Sequence, residues 1–182
     1  GGGRATEIGL SFQHSHLDAS GTSNPKDGYA LAAHIKGEYE RWNTLFQTTR
    51  YEYAGNTDKV EHEPLMLIGG YDTPHGYRLA RRGWFHSIAV SYDFPIEHAL
   101  FDKISLYNEL GLHVKDKNDY KTGAQYAVGM NIESGRWYGC IEAVSARNHP
   151  WIAEGEDARR AALAEGSDDW TSMFLLNVGY YF

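Results

Sequence analysis

From Gly28 to Glu40 the sequence alternates with a period of two. Tyr29, Leu31, Ala33, Ile35 and Tyr39 fall on one face, and His34, Lys36, Glu38 and Glu40 on the other. Successive strand side chains point to opposite sides, so this segment carries one apolar and one charged face. Lys103–Lys115 repeats the pattern, with Ile104, Leu106, Leu110, Leu112 and Val114 set against Lys103, Ser105, Tyr107, Glu109, His113 and Lys115. Trp84, Ile88, Val90, Tyr92 and Phe94 oppose Ser87, Ser91 and Asp93. Tyr126, Val128, Met130 and Ile132 oppose Gln125, Asn131 and Glu133. Trp170, Phe174, Leu176, Val178, Tyr180 and Phe182 oppose Thr171, Asn177 and Tyr181. An all-β chain is the only economical reading of such a pattern.

Eight strands are expected: Ala5–Leu17, Gly28–Glu40, Thr44–Ala54, Gly83–Phe94, Asp102–Lys115, Ala124–Ser134, Trp137–Asn148 and Trp170–Phe182. Most exceed the ~5–6 residues of an ordinary strand and suit the ~9–11 tilted residues that cross a bilayer. Tight connections at Arg41-Trp42-Asn43, Pro95–Phe101 and Gly135-Arg136 alternate with longer ones at Ala19–Asp27, Gly55–Arg82, Asp116–Gly123 and His149–Asp169. Short turns on one side and long loops on the other characterise transmembrane barrels. A three-residue turn at Arg41-Trp42-Asn43 pairs Glu40 with Thr44 and His34 with Arg50, placing Thr48, Arg50 and Glu52 on the face of Lys36. A two-residue turn at Gly135-Arg136 pairs Glu133 with Tyr138 and puts Glu142 on the charged face. Pro64–Tyr71 is expected to be a loop excursion folded into the barrel mouth rather than a ninth strand. Ala158–Gly166 reads as a short loop helix. Residues 1–182 form a single domain, with no internal repeat.

Composition narrows the function. Seventeen Lys+Arg against 24 Asp+Glu leave a net charge of −7. That balance argues against a nucleic-acid partner, since phosphate binding needs a positive field. One cysteine, Cys140, excludes an intrachain disulfide framework and a Cys-rich metal site. The mean hydropathy of −0.53 does not exclude a membrane barrel, whose alternation averages out hydrophilic.

The aromatic residues bracket the apolar band. Tyr39, Tyr92, Phe94, Trp137, Tyr180 and Phe182 lie near the short-turn end, and Tyr29, Tyr51, Tyr53, Trp84 and Trp170 near the long-loop end. Amphipathic rings prefer the headgroup level, so two girdles are expected. The ending Phe174-Leu175-Leu176-Asn177-Val178-Gly179-Tyr180-Tyr181-Phe182 resembles the signal by which bacterial outer-membrane barrels are recognised for insertion. It implies contact with the barrel-assembly machinery through Phe182.

A wider resemblance runs from Ile104-Ser105-Leu106-Tyr107-Asn108 to Ala146-Arg147-Asn148-His149-Pro150-Trp151. This stretch resembles the C-terminal part of bacterial porins related to the phosphate-selective porins. The resemblance rests on scattered positions. It implies half of a ~16-stranded barrel, a homotrimer, and a place in the Gram-negative outer membrane among its lipids and lipopolysaccharide. It does not carry phosphate selectivity, because an anion channel needs a basic ladder. The inward set expected here mixes Lys36, Arg50, Lys103 and Lys115 with Glu7, Glu38, Glu52, Glu109, Glu133 and Glu142.

These readings converge on an antiparallel transmembrane β-barrel acting as a porin for small hydrophilic solutes or ions. Its expected pore-lining residues are Lys36, Glu38, Arg50, Glu52, Lys103, Glu109, Lys115, Glu133 and Glu142. The alternative is a closed eight-stranded barrel, whose interior side chains just fill, with a structural or lipid-modifying role. Its sole local Ser/His candidate is Gln13-His14-Ser15-His16, where alternation turns Ser15 inward and both histidines outward. No metal ligand set and no cofactor motif is expected, and neither catalytic residue nor enzyme activity.

Overall fold

A computed structural model of the chain describes residues 4–17, 26–53, 65–68, 77–96, 101–116, 120–149, 152 and 168–182. Ten strands occupy them: β1 (Arg4–Leu17), β2 (Lys26–Tyr39), β3 (Trp42–Glu52), β4 (Leu65–Ile68), β5 (Tyr77–Ala80), β6 (Arg82–Phe94), β7 (Lys103–Lys115), β8 (Gly123–Ser134), β9 (Trp137–Arg147) and β10 (Thr171–Tyr180). The described residues contain no helix. The expected helix at 158–166 lies outside them.

Eight strands form one antiparallel sheet in the order β1-β2-β3-β6-β7-β8-β9-β10. β4 and β5 pair only with each other, in register Leu65↔Ala80 to Ile68↔Tyr77. The described residues of the excursion after β3 therefore form a separate short hairpin and add no strand to the main sheet. Its far end is stapled back: Tyr53 N–H donates to Arg81 O at 2.9 Å, and Arg81 Nε–H donates to Tyr53 O at 2.9 Å.

The ladder fixes two faces across the whole sheet. A lateral line of partners runs Glu7, Lys36, Leu45, Ala89, Glu109, Ala127, Val144, Met173. The neighbouring line runs Ile8, Ile35, Phe46, Ile88, Leu110, Tyr126, Ser145, Ser172. The first line lies on a polar face and the second on an apolar face, as strand geometry requires.

One register differs from expectation. Tyr39 pairs with Trp42 and His34 with Gln47, so the β2–β3 turn holds two residues, Glu40-Arg41, rather than three. Glu40 takes a left-handed φ of 55° to close it. The one-residue difference exchanges the faces of β3. Arg50 and Glu52 sit opposite Leu31 and Tyr29, on the apolar side, and Tyr51 turns to the polar side with Ala30. The second tight turn follows expectation: Glu133 pairs with Tyr138 and Ile132 with Gly139 around Gly135-Arg136, where Gly135 has a φ of 57°.

The sheet is open. Among the described residues β1 pairs only with β2, and β10 only with β9, so the sheet is not closed into the eight-stranded barrel of the alternative. No large side chain is fully buried among the described residues. Phe174 is 85 % exposed, Leu10 79 % and Leu176 74 % on the edge strands, whereas Ile88 and Leu110 inside the sheet are 48 % and 40 % exposed. Among the described residues the nearly buried apolar side chains are mostly small, such as Ala80, Ala124, Ala127, Val144 and Ala146, and the large exposed ones lie mainly on one side of the single layer.

Candidate functional site: the polar face of the sheet

Alternation delivers seven of the nine expected lining residues to one face. Lys36, Glu38, Lys103, Glu109, Lys115, Glu133 and Glu142 share it. Arg50 and Glu52 do not, for the register reason above. Tyr107 and Asp93 join the seven, each on the charged stripe of its strand in the sequence. Among the described side chains six carboxylates (Glu7, Glu38, Asp93, Glu109, Glu133, Glu142) thus share this face with three lysines (Lys36, Lys103, Lys115), and the register adds Lys26 at the start of β2.

Towards the short-turn end the face forms a concavity of about 520 Å³, lined by Asp93, Lys103, Tyr107, Glu109, Glu133 and Glu142. Its charges differ in how they are held. Asp93 is clasped from three sides: Lys103 Nζ lies 3.2 Å away, Ser105 Oγ donates at 2.6 Å and Asn43 Nδ2 at 3.3 Å. Glu142 accepts from the Tyr107 hydroxyl, and Cys140 Sγ lies 3.3 Å from that hydroxyl. Glu38 pairs with Lys36 at 2.7 Å, two residues along the same strand, and Glu7 lies 3.3 Å from His34. Glu109 and Glu133 remain exposed. Ions this hydrated contribute little to stability as pairs; what they set is the potential over the face.

Towards the long-loop end the same face is packed. Tyr51, 3 % exposed, donates its hydroxyl hydrogen to Ala80 O at 2.9 Å and accepts from His113 Nε2 at 2.6 Å. Phe85 stacks on His113 at 4.1 Å and on Tyr51 at 5.3 Å. Lys115 Nζ approaches Asn148 O at 3.5 Å. The root of the β4–β5 hairpin is therefore tied to the polar side of the sheet. Tyr51 and Tyr53 were expected in the aromatic girdle, but the turn length of β2–β3 moves Tyr51 to this face.

The opposite face ends in aromatic rings. At the short-turn end Trp42 meets Tyr92 at 4.8 Å, Tyr92 meets Phe94 at 4.9 Å, Trp137 meets Tyr180 at 4.9 Å and Tyr180 meets Phe182 at 5.4 Å. At the long-loop end Trp84 stacks on His86 at 5.9 Å, with the Arg50 guanidinium 5.6 Å from its ring. Arg50 in turn grips Asp116 through both terminal guanidinium nitrogens, Nη1 and Nη2, which holds the Asp116 carboxyl below the usual carboxylate range. Asn108, the polar residue in the middle of the apolar stripe of β7, donates to the Tyr126 hydroxyl on the neighbouring strand.

Ser15 lies on the polar face opposite Gly28, while His14 and His16 point the other way, where His16 Nδ1 lies 2.8 Å from Asp27. Among the described residues no group of three His, Cys, Asp or Glu side chains is placed to hold a metal ion. No family model matches this chain, and no curated protein or solved structure is found to be similar to it.

Proposed function

We propose that this chain is part of the wall of a water-filled β-barrel in a bacterial outer membrane, a porin passing small hydrophilic solutes or ions. The observation that carries the reading is the pairing of an exposed apolar face, rimmed by aromatic rings, with a hydrated charged face on the same single layer. In water, apolar surface of this extent is unfavourable by about 25 cal/mol for each Å² left uncovered, and large contiguous patches mark a membrane or a partner. Lipid covers such a face, and aromatic side chains sit where lipid meets water.

The charge balance on the polar face supports a wide lumen. Six carboxylates against three lysines, or four with Lys26, leave carboxylates unmatched if the sheet curls into a narrow, dry barrel. Buried unpaired charges cost several kcal/mol each. A wide lumen keeps them in water and calls for further strands on β1 and β10, because open edges do not persist in hydrocarbon. The resemblance of the C-terminal part, from Ile104 on, to porins related to the phosphate-selective group points the same way, as does the ending in Phe182, and it extends the reading to a trimer surrounded by lipopolysaccharide.

Planar-bilayer recording of the purified protein tests the reading. Discrete ohmic steps that persist without a ligand are expected. Insertion into lipid with no conductance would leave a structural barrel, and a protein that stays soluble and monodisperse without detergent would remove the membrane altogether.

A further inference from the structure

Arg147 ends β9 on the apolar face, opposite Ala124 and at the long-loop end of the sheet. Its guanidinium carbon lies 5.5 Å from the centre of the Trp170 ring, which leads into β10 on the same side. Arg50 occupies a comparable position on β3 against Trp84, but Asp116 neutralises it. Arg147 has no carboxylate within ion-pair distance among the described residues, and its Nε is buried without a hydrogen-bond partner. Asp168 feels the Arg147 charge but is engaged by Lys121 at 2.7 Å and by Asn148 Nδ2 at 2.6 Å. Among the described residues, then, this half-buried cation, stacked on an indole at the rim of an apolar face, has no carboxylate of its own in close contact. A long side chain of this kind keeps its stem on apolar surface and its head at the interface, and guanidinium matches phosphate geometry well.

We propose that Arg147 and Trp170 hold the phosphate of an anionic membrane lipid in the leaflet on the long-loop side. The proposal rests on the membrane reading above. Phosphate supplies the counter-charge, and Trp170 the flat wall beside it.

The test is native mass spectrometry of the protein released from mixed micelles of phosphatidylglycerol and phosphatidylcholine. Wild type is expected to retain phosphatidylglycerol in preference. Arg147→Gln should lower its occupancy about fivefold, the factor for one basic residue at a membrane surface, and leave phosphatidylcholine unchanged. Arg147→Lys, which keeps the charge, should retain most of the preference. Equal occupancy of the two lipids on wild type would overturn the proposal. So would Arg147→Gln binding as wild type, or losing both lipids alike. Displacement of the bound lipid by inorganic phosphate would assign the position to a free anion and overturn it too. Failure of the wild-type protein to enter micelles or vesicles at all is a separate result, and it strikes the membrane reading instead.

Discussion

Tyr107 reaches across a glycine on β8 to donate its hydroxyl hydrogen to the carboxylate of Glu142 on β9, two strands away. The three residues share one lateral line: Tyr107 faces Gly129, and Gly129 faces Glu142. A Cβ built on Gly129 would collide with the Tyr107 ring, and one built on Gly179 would collide with the ring of Tyr138. Aromatic rings laid over strand glycines are a recurrent way to cover exposed backbone and pin register. Here the device also turns the Glu142 carboxylate towards a neighbour rather than the centre of the concavity.

Gly129→Val should destabilise the sheet by about 1–3 kcal/mol, the usual cost of overpacking. The penalty should largely disappear when Tyr107→Ala is made first, because the collision is with that ring. Urea unfolding midpoints of the two single variants and the double variant in detergent micelles measure the coupling. Additive effects would show that the ring does not lie over Gly129.

On the membrane reading, Phe46→Arg should impair assembly far more than Gln47→Arg. Phe46 lies on the apolar line with Ile35 and Ile88, whereas Gln47 lies opposite His34 and Ser87. Arginine on the lipid side near the midplane costs roughly 2–4 kcal/mol. Leu110→Arg against Glu109→Arg is the same comparison on β7. Refolding yields into lipid vesicles read the difference, and equal yields within either pair would reject the facial assignment.

The two tight turns explain what the sequence discloses and what it hides. Gly135 advertises a left-handed turn residue, so the β8–β9 register and the placement of Glu142 follow from the chain alone. Glu40 adopts nearly the same conformation with no such signal, and a reader of the sequence lengthens the turn by one residue. On β3 the stripes reinforce the error: Thr48, Arg50 and Glu52 make theirs the more charged one, although Leu45, Gln47, Thr49 and Tyr51 are the residues that share the polar face. Arg50 and Glu52 accordingly lie on the face opposite to Lys36, while Glu109 and Glu133, on strongly alternating strands, share its face. The Tyr51–His113–Phe85 packing was invisible because it joins three strands through one register step.

Tyr51→Phe should loosen the root of the β4–β5 hairpin without dissolving the sheet. The change leaves the Ala80 carbonyl and the His113 ring without their shared hydroxyl, a loss of about 1–3 kcal/mol for buried groups. Trypsin cleavage after Arg81 and Arg82 in the folded protein should quicken. Unchanged cleavage would mean that the Tyr53–Arg81 bonds hold the root alone.

The Arg50–Asp116 pair should make the long-loop end sensitive to acid. Arg50 depresses the Asp116 carboxyl, so its folded-state pKa lies below the unfolded one. The stabilisation is then complete above the ordinary carboxylate range and is lost as pH falls through the folded value. The Asp116 N–H, which donates to Arg82 O at 3.1 Å, should exchange faster at low pH than intrinsic chemistry predicts. Asp116→Asn should abolish that excess. An excess that survives the substitution would have to come from another group.

Neutralising Glu38, Glu109 and Glu133 together should move the ion preference of the channel towards anions. Each substitution removes one negative charge from the polar face, and potentials add whether or not the carboxylate is paired, so losing Glu38 also unmasks Lys36. The wild-type face is acidic in balance, and the concavity beside Asp93 and Glu142 more so. Screening decides where the effect is visible: the Debye length is about 30 Å at 0.01 M salt and about 3 Å at 1 M. Reversal potentials across a salt gradient should therefore shift strongly in dilute salt and scarcely at all in concentrated salt. A conducting protein whose reversal potential ignores the triple substitution at every salt concentration would keep the channel and remove this face from its pathway.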